Sequence, residues 1–133
     1  MNFTAEIPLP PDGLSPNARL HWAQKAKATR LYREACAWIF REALPKPWDK
    51  RLAVKVDVQY RACRGCNGYH PRDEDNARAS LKAAFDALKD AGAVASDAKR
   101  RLTLGEFSLL TTARELKQSD LKPGITLTVR QTP

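Results

Sequence analysis

Three acids and an amide occupy four consecutive positions, Asp73-Glu74-Asp75-Asn76, behind Pro71-Arg72 and ahead of a stretch with helical patterning. Asp73 and Asp75 stand two apart where a loop enters a helix. Two carboxylates so placed can share one Mg²⁺, which takes hard oxygen ligands and keeps several waters. The helix start also offers free N–H groups to a phosphate. Lys82 follows Asp75 by seven residues, the same face of an unbroken helix and roughly 10 Å along it. Its side chain leans back toward the helix start. Asp97 lies beyond Gly92 and meets the other acids only if the chain doubles back. Either Asp73 or Asp75 serves equally well as an ordinary N-cap. Asp86, ~16 Å along the helix from Asp75, cannot ligate the same ion; it reads as structural, paired with Lys82 at i−4 or Lys89 at i+3.

The acids sit in a basic chain. Its 133 residues carry 23 Lys and Arg against 15 Asp and Glu, a net charge of +8. That balance favours a polyanionic partner, nucleic acid above all. Arg19, Lys25, Lys27, Arg30 and Arg33 begin before and run along a first helix, where Lys25 and Arg33 avoid the expected apolar stripe and should face solvent. They suit a DNA backbone, or an ordinary charged helix face. Trp22, beside His21 at the start of that helix, can stack on an exposed base or belong to the core. Cys63-Arg-Gly-Cys66 with His70 supplies three of the four ligands a structural zinc wants. The loop therefore reads as a basic surface, with Arg61, Arg64 and Arg72 near the DNA.

Several classes are disfavoured. No Ser-His-Asp grouping or phosphate-binding glycine loop is visible. Three cysteines (Cys36, Cys63, Cys66) make no disulfide framework. No apolar run approaches the roughly 20 residues of a membrane-spanning helix. The opening Met-Asn-Phe-Thr-Ala-Glu lacks a signal-peptide pattern. The expected location is the cytoplasm of a bacterial or phage-infected cell, with no membrane partner and no organic cofactor.

The elements that must position these residues are legible as periodicities. Residues 3–8 read as a first strand, closed by Pro8, Pro10 and Pro11. A helix is expected from about Trp22 to Ala43, with Leu31, Ala35, Trp38 and Ile39 as its buried stripe and Pro45 and Pro47 as its stop. Leu52, Val54, Val56 and Val58 alternate with polar neighbours as a half-buried strand. A second helix is expected from about Asp75 to Asp90, with Ala77, Leu81, Ala84, Phe85 and Leu88 inward and Gly92 as its stop. Leu102, Leu104 and Phe107 to Leu110 suggest a third strand; Ile125, Leu127 and Val129 alternate as a fourth. The order β-α-β-α-β-β predicts a single α/β (α+β) domain over residues 1–133, a mixed sheet with helices on one face.

Arg-Asp-Glu-Asp-Asn (72–76), Phe-Asp-Ala-Leu-Lys-Asp-Ala-Gly (85–92) and the later Asp97 together resemble the RusA family of Holliday junction resolvases, found in bacteria and their prophages. Leu-Ser-Pro-Asn-Ala-Arg-Leu-His-Trp (14–22) is similar to the opening of the phage-like branch. The resemblance implies a small homodimer that cuts four-way DNA junctions with Mg²⁺, its essential acids carried onto Asp73, Asp75 and Asp97, its amide onto Asn76. Two positions depart from the family: Ala79 stands where the archetype has lysine, and Ser96-Asp97 where it has paired aspartates. Lys82 matches the lysine only if the helix is aligned from its Phe-Asp-Ala-Leu end.

The expectation is a structure-selective endonuclease that resolves Holliday junctions by paired symmetric nicks during DNA recombination and repair. Asp73, Asp75 and Asp97 would hold Mg²⁺ or Mn²⁺, and Lys82 would stabilise charge on the phosphate. Asn17, Arg19, Lys25, Lys27, Arg30, Arg72 and Asn76 would contact DNA. Two symmetric cuts call for two symmetric sites, hence a homodimer, joined at an apolar strand edge or the C-terminal β pair. The alternatives are a module that binds branched DNA with a decayed metal site, and a small RNA-binding protein.

Overall fold

The structure, a computed structural model, describes residues 1–14, 19, 21–62, 68–71, 73–95, 101–110 and 122–132. The strands are β1 (Asn2–Ile7), β2 (Ala53–Arg61), β3 (Leu102–Leu110) and β4 (Gly124–Thr132). The helices are α1 (Trp22–Ala43), α2 (Glu74–Ser80) and α3 (Lys82–Asp90), with a 3-10 turn at Asp12–Leu14. The strands form one mixed sheet, as the sequence pattern predicts, in the order β1-β4-β2-β3. β4 runs antiparallel to both β1 and β2, so β1 and β2 point the same way with β4 between them. β3 lies parallel beside β2, a pairing that needs a crossover connection; α2 and α3 lie along it.

Register builds the core. Phe3, Val129 and Val56 lie in one row across three strands; Ala5, Leu127 and Val58 form the next, and Ile7, Ile125 and Tyr60 the third. All nine are buried. The period-2 alternation puts one face of each strand into the core. β3 keeps its apolar residues on that face through a bulge: Val56 pairs with Leu104, but Val58 pairs with Phe107. Asp57 holds the bulge by accepting the Glu106 N–H at 2.8 Å, and a Cβ on Gly105 would fall 2.1 Å from the same carboxylate oxygen.

The buried face of α1 is only in small part the expected stripe: Ile39 is half-buried against the core. Tyr32, Cys36, Ala37 and Phe40 are buried, whereas Leu31 and Trp38 are 52% and 63% exposed and Ala35 is exposed beside them. Tyr32 fixes the helix by donating to the Pro8 carbonyl at 2.6 Å. Leu44, ahead of Pro45, is extended and ends the helix.

The second expected helix is two. Leu81 interrupts it with φ −94° and ψ 3°, its N–H bonding back to Arg78. Ser80 donates its hydroxyl to the Ala77 carbonyl at 2.7 Å, a back-bond that bends helices. α3 ends at the expected glycine: Gly92 has φ 86°, its N–H bonds Lys89 O, and the Ala93 N–H bonds Leu88 O, which is the Schellman closure.

Candidate nucleic-acid interface

The acidic corner is built at the end of β2. Tyr60, buried in the last core row, donates its hydroxyl to Tyr69 O at 2.9 Å, and burial pushes that phenol well above its ordinary range. The Tyr69 N–H bonds Pro10 O at 2.7 Å, and Pro71 is fully buried. Gly68, at φ 112°, lies so close to Leu9 that an added Cβ would fall 2.5 Å from the Leu9 Cβ. This anchored stem delivers the chain to α2, whose N-cap is Asp73.

Asp73 accepts the Asn76 backbone N–H at 2.8 Å through one oxygen, and its other oxygen faces the Asn76 amide at 3.5 Å. It fills the capping role open to any aspartate at that position. Asp75 lies exposed two residues on, and its carboxylate makes no hydrogen bond or ion pair among the described residues. Glu74 pairs with Arg78, whose guanidinium also lies 5.3 Å from the centre of the Phe107 ring. Glu74 and Arg78 are therefore committed to each other.

Asp97 lies outside the described residues, but its flanks do not. Ala95 N–H bonds Lys50 O, and Arg101 O accepts from the Val54 N–H, both at the start of β2. Tyr69, ahead of the acidic corner, is tied to Tyr60 near the end of β2. Asp97 follows Ala95 by two residues, roughly 7 Å of extended chain. Among the described residues no three His, Cys, Asp or Glu side chains gather where a metal ion would sit. The donors that are described, Asp73 and Asp75, are hard carboxylate oxygens of the kind Mg²⁺ takes.

The cations divide in two. Lys25 and Lys82 line one cleft of about 380 Å³ between α1 and the joint of α2 with α3, together with Leu14, Thr29, Ser80 and Asp86. A second cleft, of about 680 Å³, shares Lys25 and Thr29 and continues to Trp22, Ala26 and Arg30. The side chains of Lys25, Arg30 and Lys82 form no ion pair among the described residues. The break at Leu81 means Lys82 follows the axis of α3, and not an extension of α2. Lys27 lines neither cleft; two residues from Lys25 places it about 160° away around the helix. Arg19 is exposed ahead of α1.

Two expected DNA contacts are occupied elsewhere. Arg33 grips Asp90 with two hydrogen bonds, at 2.5 and 2.8 Å, and stands 3.9 Å from Asp86. That guanidinium holds the Asp90 carboxyl below its usual range. Arg61 is buried, donating to Lys122 O, Gln59 and Thr126. Asp86 pairs with Lys89 at 4.0 Å, as its spacing predicts. Asn17, Arg64, Arg72, Cys63 and Cys66 lie outside the described residues; His70 is half-buried.

Trp22, for which the pattern left core and surface open, is 77% exposed. Its ring lies 5.5 Å from that of His21, whose Nδ1 accepts the Ala23 N–H and caps α1. No helix among the described residues is long and apolar enough to cross a membrane. No protein-family model matches the chain, and comparison with curated proteins finds no match.

Proposed function

We propose that this protein is a metal-dependent endonuclease acting on four-way DNA junctions. The observation that carries the reading is the acidic corner at the head of α2, at the same end of the sheet as the unpaired cations Lys25 and Lys82. β1 and β2 run in parallel, and the chain leaves their ends to start α1 and α2 respectively. Both helix starts therefore lie at one end of the molecule. The resemblance to the RusA family supplies the substrate class.

In this reading Asp73 and Asp75 would hold Mg²⁺; Asp97 joins them only by the resemblance, since Ala95, two residues before it, is tied to the start of β2 and the acidic corner lies at the other end. When bound, the ion supplies Lewis acidity at the scissile phosphate and lowers the pKa of a water. Asp75 contributes an uncommitted carboxylate, whereas Asp73 must serve as ligand and helix cap together. Lys82, which lines the smaller cleft, would face a phosphate as its charge develops. Lys25 and Arg30 hold the neighbouring backbone, an interaction that weakens as salt rises.

The homodimer of this reading has a candidate surface besides the C-terminal β pair, of which β3 is an edge strand and β4 lies inside the sheet. Leu31, Ala35 and Trp38 form an exposed apolar stripe at alternating spacings of four and three, the spacing by which helices pair along a seam. An antiparallel two-fold between Ala35 and Trp38 seats each Trp38 over the partner subunit's Ala35. It also sets each Glu34 opposite the partner subunit's Arg41. Both charged residues are exposed on the flank of the stripe, and Arg41 makes only a 3.3 Å bond to Asp90 O.

A second reading, a junction-binding module without cleavage, is favoured by one observation. Asp73 is already engaged as a cap while the flanks of Asp97 are tied to the far end of β2. Metal-dependent nicking of a labelled junction distinguishes the two.

A further inference from the structure

Trp22 is the most exposed large apolar side chain described, at 77%. A tryptophan's large apolar surface ordinarily gains from being buried. It sits at the first position of α1, which His21 caps from outside, so its backbone is fixed while its ring is open to solvent. Trp22 lines the larger cleft together with Lys25, Thr29 and Arg30. That cleft shares Lys25 and Thr29 with the smaller one, which ends at Lys82 and Ser80. The two make a continuous trough from an aromatic platform past three cations to the joint between α2 and α3.

The acids in the trough do not cancel its charge. Asp90 lies on its edge but is neutralised by the two-pronged bond from Arg33. Asp86 is shared between Arg33 and Lys89. Glu34, on the outer rim, is the one wall carboxylate without a cation among the described residues. Lys25, Arg30 and Lys82 outnumber it. An aromatic face beside a row of unpaired cations is how proteins bind single-stranded nucleic acid: bases stack on the ring and cations follow the phosphates.

The geometry points to Trp22 as a stacking platform for one unpaired base of DNA, with Lys25, Arg30 and Lys82 carrying the phosphates of the same strand. The inference rests on the DNA reading above and adds the ligand it would take: an unstacked nucleotide, as found where strands exchange at a branch point. A strand anchored on Trp22 runs along the trough to the joint of α2 with α3.

The test uses the whole protein in EDTA, so that cleavage plays no part. Dissociation constants are measured for a labelled oligothymidine and for the matching abasic oligonucleotide, which keeps the phosphates but removes the bases. Trp22→Ala should weaken oligothymidine binding about 5- to 150-fold, the range stacking contributes per base. It should leave abasic binding unchanged. Trp22→Phe should recover most of the loss, and Lys25→Ala should weaken both ligands. Equal effects of Trp22→Ala on the two ligands, or none on either, would overturn the inference. A wild-type protein that binds neither these ligands nor a junction overturns the DNA reading with it. Junction cleavage that persists beside an inert Trp22→Ala overturns the platform alone.

Discussion

The Asp73 carboxylate accepts the Asn76 backbone N–H at 2.8 Å and stands 3.5 Å from the Asn76 side-chain amide. One residue thus carries a structural task and, in the proposed reading, a chemical one, and substitution can separate them. Asp73→Ser keeps a capping oxygen but removes the carboxylate. Asp73→Ala removes both, at a cost of about 1 kcal/mol in stability. Thermal unfolding should therefore set Asp73→Ala below wild type with Asp73→Ser near it, while both variants lose metal-dependent cleavage. Cleavage retained by Asp73→Ser would leave Asp73 with the cap alone.

The Arg33–Asp90 pair predicts a pH dependence. Arg33 depresses the Asp90 carboxyl, so the pair's contribution is fully present above the unfolded value near 3.9. It is lost as pH falls through the depressed folded value. Both side chains are over a third exposed, which keeps the contribution under about 1 kcal/mol. Denaturant titrations from pH 7 down to pH 2 should show Asp90→Asn losing less stability across that range than wild type. Identical slopes would mean the pair is too well solvated to matter.

Much of the fold was legible because burial and period agree where strands are half-buried. Val54, Val56 and Val58 had no competing pattern, and neither did Ile125, Leu127 and Val129. α1 is different. Its Leu31-Ala35-Trp38 stripe steps by four and three and its Tyr32-Cys36-Phe40 stripe by four and four, starting one residue apart, about 100° around the helix. The first is the more apolar, yet the second is buried, because the Tyr32 hydroxyl finds Pro8 O. Hydropathy alone chooses the wrong face wherever a buried polar atom has a partner.

The candidate site was legible in residue type and less so in arrangement. Ser80 hid the break in the second helix, since a serine in a helix gives no warning of a back-bond to Ala77. Arg61 read as a surface cation because nothing in its neighbours announces three acceptors around a buried guanidinium. Lys25 and Lys82, 57 residues apart, meet only through the packing of α1 against α3.

The outer stripe of α1 predicts a charge-swap result. Glu34→Arg and Arg41→Glu should each shift the protein toward monomer in sedimentation velocity, by placing like charges opposite one another. The double variant Glu34→Arg/Arg41→Glu should restore the dimer. Monomer for wild type, or dissociation in neither single variant, would remove α1 from the interface.

Burial raises the Cys36 thiol to about 12, offset only in part by the neighbouring Tyr32 hydroxyl. Thiolate is the reactive form, so native protein at pH 8 should leave Cys36 unlabelled by iodoacetamide, read by peptide mass spectrometry. Unfolded protein should label it readily. Rapid native labelling would mean that the contact between α1 and the sheet opens.

The central claim is that the free carboxylate of Asp75 supports metal-dependent cutting of branched DNA. The most direct measurement incubates purified protein with a labelled four-way junction and with linear duplex of the same sequence, with and without Mg²⁺, beside Asp75→Asn. Paired nicks should appear in the junction alone, dependent on metal and abolished in the variant. Junction binding without cleavage in either Mg²⁺ or Mn²⁺, or cleavage undiminished in Asp75→Asn, would contradict it.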